Sequence, residues 1–183
     1  MPRQVFLFDP PERFVAGTVG QPGERTFFLQ ASGGGRVVSV ALEKVQVALL
    51  AERLEELLEE VRRRGAGDVP LVAPTELEDT APLDAPVEEE FRVGTMGLAW
   101  DGEVEQVVVE ALAPTEDETE VEVLSEDETG PDTLRVRISA DMARAFIARA
   151  QRVVAAGRPP CPLCALPLDP EGHVCPRQNG HRR

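Results

Sequence analysis

All three cysteines and both histidines of this 183-residue chain lie between Cys161 and His181. That separation constrains the fold more than any other feature. Residues 1–157 must fold on apolar burial and ordinary polar chemistry alone. Residues 158–183 are too few to bury a core of their own, yet they hold every soft metal ligand of the chain. The sequence therefore divides into a body, 1–157, and a tail, 158–183.

In the tail, Cys161-Pro-Leu-Cys164 has the spacing of a metal knuckle. A short loop with two prolines and a glycine leads to His173-Val174-Cys175. Residues two apart in an extended segment project to the same side, so His173 and Cys175 can reach one ion. Cys161, Cys164, His173 and Cys175 make a closed tetrahedral set, the composition of structural Zn2+ rather than of a catalytic ion, which keeps one position open. His181 competes as the fourth ligand through its own spacing from Cys175, although the nearness of Cys175 favours His173. The expected result is a small zinc-knuckle or ribbon-like element folded by its metal.

The body reads as two strand–strand–helix halves. Residues 13–20 and 25–31 alternate as strands around a Gly20–Gly23 turn, and a Gly33–Gly35 turn leads to a third strand over 36–42. A helix over 42–65 carries Val47, Leu50, Leu54, Leu57 and Val61 at spacings of three and four. Glu59 and Glu60 precede Arg63 and Arg64 by four residues, the favourable order, and three arginines sit at the negative end of the helix dipole before Gly65. Residues 66–91 hold four prolines and eight acids without a base, which reads as a solvated connector; an acidic lid or docking segment is the sharper alternative. Strands over 91–100 and 103–112 follow, hinged at Asp101-Gly102. Residues 119–124 and 133–138 read as a further hairpin, with Glu120 and Glu122 facing Arg135 and Arg137. Ser139 caps a second helix over 140–156, with Met142, Phe146, Ala150 and Val153 on one face. The expected class is α+β: one or two antiparallel sheets with two amphipathic helices packed on them.

A formal charge of −14 argues against a general binder of nucleic acids or anionic membranes, since both need a positive footprint. The tail is the exception, with Arg158, Arg177, Arg182 and Arg183 against two acids. The N-terminus has no long apolar run, and an odd cysteine count does not suit a disulfide framework, so a cytoplasmic protein is expected. No phosphate-binding glycine loop and no Ser-His-Asp set is visible. Three weaker constellations remain in the body. Arg13, Arg25 and Arg36 recur near strand starts and could meet an anion. Asp9 and Glu12 are neighbouring carboxylates. Trp100-Asp101-Gly102 could mark a ligand site at a hairpin tip.

Three segments, VFLFDPPERFVAGTVGQPGERTFFLQA, GTMGLAWDGEVEQVVVEA and the stretch from CPLC to GHVCPRQNGHRR, appear in that order. With them the chain resembles the uncharacterised actinobacterial family known as domain of unknown function 3090. The resemblance implies a cytoplasmic protein from a GC-rich genome, favours His173 over His181 as ligand, and carries no activity or catalytic residue with it.

Together these readings point to a zinc-binding accessory or protein-interaction protein rather than an enzyme, with a protein as the expected partner and no membrane role. The alternatives are a nucleic-acid-associated factor using the arginine-bearing tail, which the net charge opposes, and an enzyme with a pocket on the sheet.

Overall fold

The computed structural model describes residues 2–21, 23–116, 122–156 and 162–164. In chain order the elements are β1 (Val5–Phe8), β2 (Arg13–Val19), β3 (Thr26–Gly33), β4 (Arg36–Leu42), α1 (Lys44–Arg64), β5 (Glu89–Arg92), β6 (Thr95–Asp101), β7 (Gln106–Leu112), β8 (Thr133–Ser139) and α2 (Ala140–Ala155). They form two four-stranded sheets, ordered β2-β3-β4-β5 and β1-β8-β7-β6, with two helices. The α+β reading stands. The antiparallel reading needs correction, because β1 pairs β8 in parallel and β5 pairs β4 in parallel, so both sheets are mixed.

The two sheets have the same topology. Each half of the chain supplies one short strand, a three-stranded meander and a helix, and in each half the short strand joins the other half's sheet. The crossing after β5 takes one residue: Val93 N–H donates to Ala41 O of one sheet and Gly94 N–H to Leu112 O of the other. The helices cross as well, α2 packing on β2 and α1 on β6. Phe14 of β2 stacks on Phe146 of α2, ring centroids 4.6 Å apart. One continuous core results, and the halves are interlocked rather than merely joined.

Local chemistry explains the elements. Gly34 and Gly35, both at positive φ, make the two-residue turn that pairs Gly33 with Arg36. In α1 the buried stripe is Val47, Leu50, Ala51, Leu54, Leu58 and Val61; Leu57 sits at its margin, half-buried. Glu60 pairs with Arg63 and, at 2.5 Å, with Arg64. Ser139 Oγ accepts the Met142 N–H, and α2 turns Ala143, Phe146, Ile147 and Ala150 inward, with Met142 and Val153 at the edge. Asp101-Gly102 opens a turn longer than two residues: Asp101 pairs Gln106, and the positive φ falls on Glu105.

Two expectations change. The first is the solvated connector, which is mostly exposed but seated: residues 66–88 form a strap that passes Trp100 and α2 and reaches the outer face of the first sheet at Leu83 and Asp84. Val69 is buried and Arg144 Nε donates to Pro70 O at 2.9 Å. Gln30, buried on β3, accepts the Asp84 N–H at 2.8 Å and donates to Asp84 O at 3.0 Å. The chain then enters β5. An acid-rich segment can stay exposed along most of its length and still be tied down where a buried polar side chain meets its backbone.

The second is the hairpin of 119–124 with 133–138. Both sides of β8 are taken, by β7 and β1, and residues 122–124 form no strand, Leu124 having φ 62°. Arg135 faces Glu110 rather than Glu120 or Glu122; Glu120 lies outside the described residues. A fully buried Glu110 needs a cation more than an exposed glutamate does, and that need decides the register. Residues 122–126 cross the outer face of the second sheet, as the strap crosses the first.

Both crossings need a glycine beneath them. A Cβ on Gly17 would lie 2.5 Å from Leu83 of the strap, and one on Gly97 would lie 2.8 Å from Val123. Gly17→Val is expected to lift the strap and cost about 1–3 kcal/mol by overpacking. Urea unfolding checks this, and a loss within error would mean that Leu83 moves aside freely.

Candidate functional site

The densest charge cluster is centred on Asp79. The 3-10 turn at Thr75–Leu77 delivers Asp79 to the strap, between Arg13 at the start of β2 and Arg149 on α2. Arg13 donates to Asp79 through Nε at 2.7 Å and through a terminal nitrogen at 3.0 Å, and to the carbonyls of Ala81 and Pro82. Arg149 donates to Asp79 Oδ1 at 3.0 Å, to Asp79 O at 2.9 Å and, deep in the core, to Ala16 O at 2.8 Å. The Arg13 hydrogen bond, against the opposing effect of burial, holds the Asp79 carboxyl below its ordinary pKa, and the charge of Arg149 adds to this. Burial lowers Arg149 despite Asp79, and the Asp79 hydrogen bond raises Arg13. A cleft of about 80 Å³ beside the cluster is lined by Arg13, Asp79, Phe146 and Arg149. A carboxylate so held stays ionised with its oxygens occupied, which suits a clasp and not a proton-transfer group.

The three arginines singled out from the sequence do not converge. Arg13 enters the clasp. Arg25 caps the end of α2 through Ala156 O at 3.1 Å and lies over Phe27. Arg36 donates to Leu7 O and lies over Phe8. Asp9 and Glu12 also part company: Asp9 faces Arg137 at 3.9 Å, while Glu12 lines the cleft beside Arg13.

Trp100-Asp101-Gly102 does border a cavity. A groove of about 410 Å³ lies on the outer face of the second sheet. Its floor is the paired row Ala99, Val108 and Arg137, and its rim includes Asp101 and Glu126, while the Trp100 side chain turns to the opposite, core face with Leu98 and Val107. Arg137 reaches Asp101 at 3.3 Å. The Trp100 indole N–H is buried without an acceptor among the described residues. The six-membered ring, on the side that carries that nitrogen, lies against Gly67.

Glu110 and Arg135 were missed as a pair. Their signal was legible: an acid in the run Gln106-Val-Val-Val-Glu110-Ala, and Gln30 in the run Phe27-Phe-Leu-Gln30-Ala, are polar residues at the centre of buried strands. Such residues require partners. Of the expected metal ligands, Cys164 is half-buried in a turn over 162–164, whereas Cys161, His173, Cys175 and the competing His181 lie outside the described residues.

A family model described as protein of unknown function (DUF3090) matches residues 6–175. The chain belongs to that family. The match takes in both interlocked halves, the strap and the groove, and runs through Cys175, so it includes Cys161, Cys164 and His173 and stops short of His181. No curated protein and no solved structure matches the chain. Among the described residues, no helix is long and apolar enough to cross a membrane.

Proposed function

We propose that this protein is a non-enzymatic interaction module that carries a structural Zn2+ in its tail, bound by Cys161, Cys164, His173 and Cys175. The observation that carries the reading is the confinement of every cysteine and histidine to residues 161–181, in a C-P-L-C and H-V-C arrangement. The family match through Cys175 supports His173 over His181. On the body side, the strongest ionic cluster has the character of a clasp, which agrees with a scaffold role. The zinc would order the tail and present its arginines, beside an acidic body, to a protein partner.

Purified protein is expected to hold about one zinc ion per chain by elemental analysis, as a closed four-ligand site requires. Cys164→Ser is expected to lose it, while His181→Ala retains it. A nuclease-resistant, stoichiometric protein complex that disappears with Cys164→Ser would establish the interaction role. Zinc-free native protein would sink the metal assignment. Material removed by nuclease would replace the protein partner with a nucleic acid.

A further inference from the structure

The two halves serve as controls for each other. In the first sheet the paired row Gly17, Phe28 and Ala41 corresponds to Ala99, Val108 and Arg137 in the second. The first row is sealed, with Leu83 of the strap seated on Gly17 and both Phe28 and Ala41 buried. In the second sheet the covering side chain, Val123, sits one row away on Gly97. Ala99 and Arg137 of that row are thereby left half-buried on either side of a buried Val108, as the floor of the groove, and the row carries a guanidinium where the first half has a methyl group.

We propose that this groove binds a small α-amino acid with an apolar side chain. Arg137 is the anchor. Its contacts with Asp101 at 3.3 Å and Asp9 at 3.9 Å hold it in place, but they are longer than the 2.6 Å and 2.7 Å contacts by which Arg135 and Arg13 are committed. The guanidinium fork therefore has donors to give a carboxylate. An anion alone would meet Asp9, Asp101, Glu103 and Glu126 around the groove and a body of net charge −14. An ammonium group on the same ligand turns that ring of acids into a partner. Ala99 and Val108 provide an apolar floor for the side chain.

Trp100 is the sole tryptophan of a chain without tyrosine and stands between Ala99 and Asp101 of the groove, so its emission reports on the end of the strand that carries them. L-valine is expected to change that emission saturably, with the same affinity by calorimetry. Isovalerate, which lacks the ammonium group, and isobutylamine, which lacks the carboxylate, are each expected to bind at least about tenfold more weakly, the effect of one lost charge-assisted contact. Arg137→Gln is expected to weaken L-valine by a similar factor. Val108→Phe, which installs the side chain of the sealed row, is expected to abolish binding with the fold intact by circular dichroism. Absence of saturable binding of L-valine by both methods would overturn the proposal. So would equal binding of the three compounds, or binding that survives both substitutions.

Discussion

Glu110→Ala is expected to cost about 3–5 kcal/mol of folding stability, the range for removing one partner from a buried ion pair. Glu110 is wholly buried on the central strand β7. One of its oxygens accepts Arg135 Nε at 2.6 Å and the other accepts the Leu124 N–H at 2.6 Å. Truncation strands a guanidinium that is 7% exposed and a backbone donor at the point where residues 122–126 cross the sheet. Arg135 keeps Ser125 O at 2.9 Å and a longer contact to Glu126, which only partly compensate. The urea midpoint should fall with little change in slope. Amide exchange at Leu124 should rise more than at Leu54, in the centre of the core. Replacing both partners, as Glu110→Leu with Arg135→Met, should recover much of the loss, because no buried charge is then left alone. A loss below about 1 kcal/mol, the size of an exposed pair, would show that the crossing is held by Val123 and not by the ion pair.

The second large effect is expected at Asp79. Asp79→Asn should cost roughly 2–3 kcal/mol, less than a fully buried pair because the Asp79 side chain is 27% exposed. Arg149 would lose the Asp79 carboxylate while keeping the carbonyls of Ala16 and residue 79. The effect should depend on pH in a defined direction. Because the native carboxyl is held below its ordinary value of 3.8, chiefly by the Arg13 hydrogen bond, the folded state gives up that proton more readily than the unfolded chain. Its contribution is therefore complete above the ordinary value and is lost as the pH falls through the lowered native value. The stability gap between wild type and Asp79→Asn should be wide at neutral pH and should close in acid. A gap of constant size from pH 7 to pH 3 would mean that the Asp79 charge is not what Arg13 and Arg149 require.

Both effects sit in parts of the chain that composition misrepresents. Residues 66–88 and 122–126 look like solvated segments when counted by charge, and the first is mostly exposed. Each nonetheless crosses a sheet over a glycine and is held by a polar residue buried at the centre of that sheet. Gln30 and Glu110 were visible as polar residues inside apolar runs. Their partners were not, because Asp84 and Leu124 are engaged through the backbone, which carries no sequence signature. The Asp79 clasp joins residues from β2, the strap and α2 and has no local pattern. The groove over Ala99, Val108 and Arg137 depends on a shift of one row in where a covering side chain lands.

The sequence by itself determined both helices, the three strands and the glycine turn of the first meander, the β6–β7 hairpin, the Ser139 cap and the strand–strand–helix order of each half. These rest on periodicity and turn chemistry, which act over a few residues. It also concentrated every cysteine and histidine in the tail. Only the tertiary structure decided that β1 and β5 exchange sheets, that each helix packs on the other half, and that Arg135 answers Glu110 rather than a neighbouring loop. Those choices turn on which buried charges and backbone groups find partners across the whole chain. That balance of desolvation against pairing has no meaning until distant segments share one core.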